Sequence, residues 1–290
     1  MNFSQLDPRS VAASVAANDA ILASGAPVLG VEVTVPALAA RCGLGNLDHH
    51  GPDSTAETPS ACEQALSCEL PPEGATLATV RCDADSVTAM AVLASRLEGR
   101  KVNETLVRAI GAMDRLGPKA GERVDTVIAV ARKAADFKVP LAERVTWAQS
   151  VLDGTCDSEE IAKLVAERDR EFEAARKASE VRVVADKVAM VVSTHRFATN
   201  LGYEMANVVV AMNPEFPVDP RDPAKGTCVK FTIARYDSHV PCVIKTALAE
   251  LQALEPGWGG QGDIIGSPQG QSSKIELDHV VDVVLRAFRQ

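Results

Sequence analysis

Aromatic residues are scarce in this chain. Two Trp, two Tyr and seven Phe make up 4% of 290 residues, so a core must be packed mainly from Ala, Val and Leu. Cysteine pairs are missing as well. Cys42, Cys62, Cys68, Cys82, Cys156, Cys228 and Cys242 are scattered, odd in number, and never form C-x-x-C. That argues against a disulfide framework and against a thiolate zinc site. The thiols are expected to be small packing residues in a reducing, cytoplasmic compartment. No apolar run approaches the roughly 18 residues of a membrane span, and the N-terminus lacks the basic-then-apolar order of a signal peptide. Positive charge is in deficit: 30 Lys and Arg against 39 Asp and Glu leave a formal charge of −9. Such a chain is poorly suited to duplex DNA, whose binding depends on many phosphate contacts. Neither G-x-x-x-x-G-K-[ST] nor a strand-borne G-x-G-x-x-G occurs, which removes the kinase-like and transferase-like readings that need such a loop.

What is present is ordinary globular material, 46% hydrophobic and 24% charged. Residues 8–24 read as a helix, Ala26–Val33 as a buried strand, Pro36–Arg41 as a short helix, Leu44–Leu47 as a second strand, Thr58–Ser67 as a helix capped by Thr58, and Ala75–Cys82 as a third strand. A helix over Val87–Leu97 follows. Residues 103–178 read as almost wholly helical, broken at Gly117-Pro118 and Asp153-Gly154, and the charge run Glu167–Arg176 reads as a solvated helix. Strand patterns return at Val181–Ala185, Val188–Ser193, Val208–Met212 and Val229–Ala234. Pro214–Gly226 reads as a loop, Val243–Leu254 as a helix, and Leu277–Phe288 as a final helix. Strands alternating with helices predict an α/β protein of two domains, with a parallel-sheet domain over 1–125, a helical linker over 126–179, and a smaller α/β domain over 180–290.

Two acidic clusters follow strands, where open parallel sheets place their ligand crevice. Asp48-His49-His50 is one. Adjacent histidines point apart, so one can hold a metal while the other faces substrate, and a neighbouring carboxylate can fix a ring tautomer; the alternative is a polar turn. Asp83-Ala84-Asp85 is the other. In extended geometry its carboxylates face one side and need a cation; the alternative is a helix cap made by Ser86 or Asp85. Together the clusters suit Mn²⁺ or similar ions, and two such ions can activate water at a phosphoryl group. Weaker signals are His195-Arg196 as a phosphate contact or a polar turn, His239 and His279 as surface or packing residues, and the glycine cluster 257–266 as an anion cradle or a tight loop. Cys82 has no base motif beside it that would make it a nucleophile.

These segments resemble the DHH phosphoesterases. N-L-D-H-H-G-P matches the naming motif, V-R-C-D-A-D-S-V-T-A-M-A-V-L resembles the D-x-D motif and its helix, I-G-A-M-D-R-L-G offers a later aspartate, and G-W-G-G-Q-G-D-I-I-G-S resembles the glycine-rich substrate motif of the second domain. The order of the first two motifs is reversed relative to the family, as in a permuted domain. Thr79 stands where the family often has histidine, Gln261 replaces another histidine, and Glu32 is the nearest counterpart of a bridging aspartate.

The resemblance implies a metal-dependent hydrolase with Glu32, Asp48, His49, Asp83, Asp85 and Asp114 around two ions, Mn²⁺ or else Mg²⁺ or Co²⁺. His50, Asp83 and Asp85 would carry the catalysis, and Arg235, Gly259, Gly260, Gln261, Gly266 and Ser267 would grip substrate. The expected substrate is a nucleotide, a short single-stranded oligonucleotide or another small phosphate ester, with no duplex nucleic acid and no membrane as partner; a homodimer is compatible with this reading. The alternative is a nucleotide- or metal-binding protein on the same scaffold without turnover.

Overall fold

A computed structural model describes residues 1–8, 12–50, 57–117, 123–218, 222–235, 244–261 and 264–288. The expectations for Gly51-Pro52, Pro118, Tyr236-Asp237, His239, Cys242 and Gly262 lie outside the described residues. The protein is α/β, as its residue pattern predicts, with a parallel four-stranded sheet, a helical middle and a mixed six-stranded sheet. The chain divides into two compact units, Met1–Arg168 and Asp169–Gln290.

The first unit begins with β1 (Asn2–Gln5), α1 (Ala12–Leu22), β2 (Val28–Val31), α2 (Pro36–Ala39), β3 (Asn46–Leu47), α3 (Ala61–Ala65), β4 (Thr76–Thr79) and α4 (Ala84–Leu97). Its strands lie in the order β1-β4-β2-β3, all parallel. Alternation along the strands divides the side chains between two cores. Leu29, Val31 and Leu77 pack with α4, whereas Val28 and Ala78 pack with Leu6, Ile21 and Leu38. Every residue of β2 (V-L-G-V) and β4 (T-L-A-T) is buried, the burial pattern of a sheet covered on both faces. β1 is an edge strand of mostly polar sequence, N-F-S-Q, and carries no apolar run by which to be noticed.

Four helices follow: α5 (Glu104–Leu116), α6 (Asp125–Ala134), α7 (Leu141–Asp153) and α8 (Ser158–Ala178). Gly117 and Gly154 end α5 and α7 at φ 88° and 80°, a backbone region open to glycine. Within the stretch expected to link the domains, Val127, Val130, Val145, Ala148 and Leu152 are buried in the same core as α4.

The second unit contains β5 (Glu180–Ala185), β6 (Val188–Val192), α9 (Ala198–Tyr203), β7 (Val208–Pro217), β8 (Thr227–Arg235), α10 (Ile244–Leu254), β9 (Gly259–Gln261), β10 (Ile264–Gly266) and α11 (Leu277–Ala287). The strand order is β5-β6-β7-β8-β10-β9, and β6 with β7 is a parallel pair while the other neighbours are antiparallel. Val208 and Val210 face α10 and α11, while Val191, Val209 and Ala211 face α9.

Two local expectations are corrected. β7 continues through the supposed loop to Pro217, pairing Phe216 with Cys228 across an irregularity that begins at Asn213. The irregularity spares Pro214 a ladder bond, and the Asn213 side chain accepts from Glu215 N–H at 2.9 Å. The cap of α3 is Ser60, not Thr58, because Glu63 reaches back to accept from Ser60 N–H at 2.9 Å.

A prediction follows for the second sheet. A Cβ on Gly202 would stand 2.5 and 2.6 Å from the Val209 methyls. Gly202→Ala should lower unfolding stability by about 1–3 kcal/mol, measured by urea denaturation; no loss would mean that α9 sits away from the sheet.

Candidate metal centre

The site grows from strand ends. β2, β3 and β4 are neighbours and parallel, so the residues after them emerge on one edge. Glu32 follows β2, Asp48-His49-His50 follows β3, and Asp83 follows β4. Glu32 N–H donates to Leu47 O at 2.8 Å, which ties the first two ends together. Asn46 braces the same corner. Its amide bonds both ways with the Val33 backbone and donates to Asp48 Oδ2 at 3.3 Å. Gly30 makes room for it, since a Cβ there would meet Asn46 Oδ1 at 2.4 Å.

Glu32 combines three unfavourable features. It is 2% exposed, its Oε1 has no hydrogen-bond partner among the described residues, and its φ is +52°, the one non-glycine residue described with positive φ. Such a conformation costs about 1–3 kcal/mol and persists where the surroundings demand it. Glu32 Oε1 lies 3.4 Å from His49 Nε2 and 3.6 Å from His50 Nδ1. His49 Nε2 is also 2.7 Å from Asp114 Oδ2 of α5, yet it is a buried atom without a partner in hydrogen-bond geometry. The donor atoms of Glu32, His49, Asp85 and Asp114 all lie within 4.8 Å of one another, and Glu32, His49 and His50 form an overlapping set. A group of three carboxylates and an imidazole, in which Glu32 Oε1 and His49 Nε2 are buried without a partner, is what a divalent cation would neutralise.

The two aspartates of D-x-D do not face one side, which corrects the extended-geometry expectation. α4 starts at Ala84, so Asp83 is its extended N-cap while Asp85 lies in its first turn. Asp83, not Ser86 or Asp85, is the cap: its Oδ1 accepts from Ser86 N–H at 3.0 Å. Asp83 is outside both donor sets, although it stands close enough to hydrogen-bond Glu32. Asp85 is fully buried. It accepts from Ser60 Oγ–H, Ala61 N–H and Cys62 N–H at 2.8, 2.8 and 2.9 Å. Thr79 bonds the Arg81 backbone in a turn.

Asp48 is occupied by His50, whose N–H and Nδ1 each lie 2.9 Å from Oδ1. His50 keeps an exposed ring, 41% accessible, stacked at a tilt 4.1 Å from His49.

The outer support was not legible in the motifs. Arg115, next to Asp114, makes two bonds to Glu63, at 2.8 and 3.2 Å. The same Glu63 caps Ser60, and Ser60 holds Asp85. α5 comes this close because of Gly111, where a Cβ would meet Ser60 Oγ at 2.5 Å and Glu63 Cγ at 2.7 Å. A cleft of about 630 Å³, lined in part by Leu47, Gln64, Arg108 and Arg115, opens on this flank.

The expected substrate residues belong to the second unit. Arg235 ends β8, and Gly259, Gly260 and Gln261 form the edge strand β9. Gly260, at φ 143°, admits no Cβ, which would meet Ile264 O at 2.3 Å. Gly266 pairs with Gly259. Ser267 is buried and its hydroxyl oxygen accepts from Phe231 N–H at 2.9 Å. His195-Arg196 lies between β6 and α9, with Arg196 paired to Glu171 at 2.5 Å.

The electrostatics follow from crowding. Burial, then the charges of Asp83, Asp85 and Asp114, push Glu32 well above the usual carboxylate range. Burial and Asp114 also raise Asp85, against hydrogen bonds from Cys62 and Ser60. Burial alone would lower His49, but Asp114, Asp85 and Asp48 outweigh it and raise its pKa. Burial would likewise raise Asp48, but the bonds from His50 prevail and lower it.

These features define an α/β protein with a buried Glu/His/Asp cluster able to hold a metal ion at the edge of a parallel sheet. No family model and no curated protein matches the sequence. Among solved structures, the fold is similar to an exopolyphosphatase-related protein from Bacteroides fragilis, with 12% identity, 95% of this chain and 74% of that chain covered, and a TM-score of 0.40. Among the described residues, no helix is long and apolar enough to cross a membrane.

Two outcomes are expected. Folding raises the pKa of Glu32 and Asp85 above their unfolded values, so their contribution to stability falls as pH rises from the ordinary carboxylate range through their folded values. The stability from His49 is present below its unfolded pKa and is lost as pH rises through its raised folded one. Urea midpoints of metal-free protein should therefore fall as pH rises above the ordinary carboxylate range, and Glu32→Gln should flatten that slope; an unchanged slope would contradict the assignment. Gly111→Ala should weaken Mn²⁺ binding by about 10–100-fold, the usual effect of disturbing ligand support, read by calorimetry.

Proposed function

We propose that this protein is a metal-dependent phosphoesterase that hydrolyses a nucleotide, a short single-stranded oligonucleotide or another small phosphate ester. The observation that carries the proposal is the convergence of Glu32, His49, Asp85 and Asp114 on one point, with a buried, unpartnered Glu32 oxygen facing it. The likeness of the D-H-H and D-x-D segments to the DHH phosphoesterases supports it from the sequence side. A bound divalent ion, with Mn²⁺ well matched to carboxylate and imidazole donors, would lower the pKa of a coordinated water and polarise a phosphoryl oxygen.

The chain's own residues have separable tasks. Glu32, His49, Asp85 and Asp114 hold the ion. Asp48 takes the Nδ1 side of His50 and fixes its orientation, which leaves Nε2 on an exposed ring to bond a phosphate oxygen or pass a proton to the leaving group. Asp83 sets the start of α4 and so the position of Asp85. The commitment of both Asp85 oxygens to α3 favours one alternative, a protein that binds metal or nucleotide without turnover.

The test is release of phosphate or nucleotide from a panel: a bis-phosphorylated nucleotide, a dinucleotide, a cyclic dinucleotide, pyrophosphate and an aryl phosphodiester, with Mn²⁺ and with chelator. Hydrolysis should require the metal, and Asp114→Asn should reduce it by about 100-fold or more through lost metal affinity. Metal binding without any hydrolysis would select the binding-protein reading.

A further inference from the structure

We infer that Asn46 is a positioning residue. Its side-chain amide locks Glu32 in the left-handed conformation that brings the Glu32 carboxylate to the metal position, and ties that lock to the Asp48–His50 pair. The inference rests on the metal centre of the phosphoesterase reading and adds the device that sets one of its ligands.

Glu32, at φ +52°, is held on both sides of its Cα. On one side its own N–H donates to Leu47 O at 2.8 Å. On the other, Val33 N–H donates to Asn46 Oδ1 at 3.1 Å, and Asn46 Nδ2 donates to Val33 O at 3.3 Å. Both soft torsions of Glu32 lie between these anchors, and both anchors come from β3. A residue with a Cβ stays in the left-handed region only where its surroundings over-determine it. Release of the Asn46 anchor lets φ return to its ordinary negative range, and Glu32 Oε1 then leaves its place 3.4 Å from His49 Nε2.

Gly30 leaves the amide its room. It pairs with Asn46 across the β2–β3 ladder, and a Cβ there would meet Asn46 Oδ1 at 2.4 Å and Cγ at 3.0 Å. Gly30 is not among the described glycines with positive φ, so its backbone does not call for glycine; the space taken by Asn46 does. The third bond of the amide reaches His50. Asn46 Nδ2 donates to Asp48 Oδ2 at 3.3 Å, and Asp48 Oδ1 faces the His50 N–H and Nδ1 at 2.9 Å each. A carboxylate held at one oxygen presents the other in a fixed direction. One amide thus orients a metal ligand and the ring of the neighbouring histidine.

The experiment uses the full chain and two readouts. Crystal structures of the metal-free wild type and of Asn46→Ala are compared at Glu32. Mn²⁺ affinity is measured by calorimetry for the wild type, Asn46→Ala, Gly30→Ala and the double variant, with circular dichroism to confirm that each is folded. Glu32 should keep positive φ in the wild type and take negative φ in Asn46→Ala. Each single variant should bind Mn²⁺ about 10–100-fold more weakly, the usual effect of disturbing ligand support. The double variant should be about as weak as either single one, because both substitutions remove the same contact. Gly30→Ala keeps the amide but displaces it, and it carries both comparisons if Asn46→Ala does not fold. Positive φ retained at Glu32 in the variant, unchanged Mn²⁺ affinity in the folded single variants, or additive losses in the double variant would each overturn the inference. A wild type that binds no Mn²⁺ would remove the phosphoesterase reading, while the φ of Glu32 would still decide whether Asn46 is the lock.

Discussion

The first unit depends on the buried carboxylate of Asp85. It sits in α4, out of contact with solvent, and accepts from a hydroxyl and two backbone N–H groups at the start of α3. An anion at a helix start is favoured by the exposed N–H dipoles, and these bonds work against the burial and the Asp114 charge that raise its pKa. One side chain therefore joins two helices and brings a carboxylate to the metal position. Removing it would strand three donors in the interior, where an unmet polar group typically costs about 1–3 kcal/mol. Glu63 and Arg115 extend the same chain of bonds to α5, so Asp114 is placed by the contact that places Asp85.

Glu32 is the complement of this arrangement. Asp85 is satisfied and structural, whereas Glu32 is strained, buried and unsatisfied. Local rules of backbone and solvation are broken together at one residue, which is how a functional position differs from a packing one. The surrounding bonds of Asn46, the Leu47 carbonyl and the Asp85 network hold the strand ends against that strain.

Much of the architecture was readable in the residues because β2 is a buried apolar run and α4 follows its cap directly. Asp48, His49 and Asp85 stood out because they follow strand-like segments. Glu32 was visible only as the carboxylate after V-L-G-V, and Asp114 only through the family likeness, because nothing in sequence spacing relates a helical residue to a strand end so far away. What stayed hidden is tertiary in origin. The divergence of Asp83 and Asp85 depends on α4 starting one residue after Asp83. The role of Gly111 depends on which helix crosses it. In the second unit, the extension of β7 through Pro214 was masked because an irregular pair admits proline where a regular ladder would not. Within the glycine cluster, Gly259–Gln261 and Ile264–Gly266 pair as antiparallel strands, and the Ser267 hydroxyl accepts from the Phe231 N–H.

The strand order has a consequence for synthesis. Asn2 pairs with Thr76, and β1 has no neighbour in the sheet but β4. β1 therefore cannot find its partner until β4 has been made. Non-local pairing of this kind is slow to form. The four-stranded sheet is complete only once residues 76–79 of β4 can pair with residues 2–5 of β1.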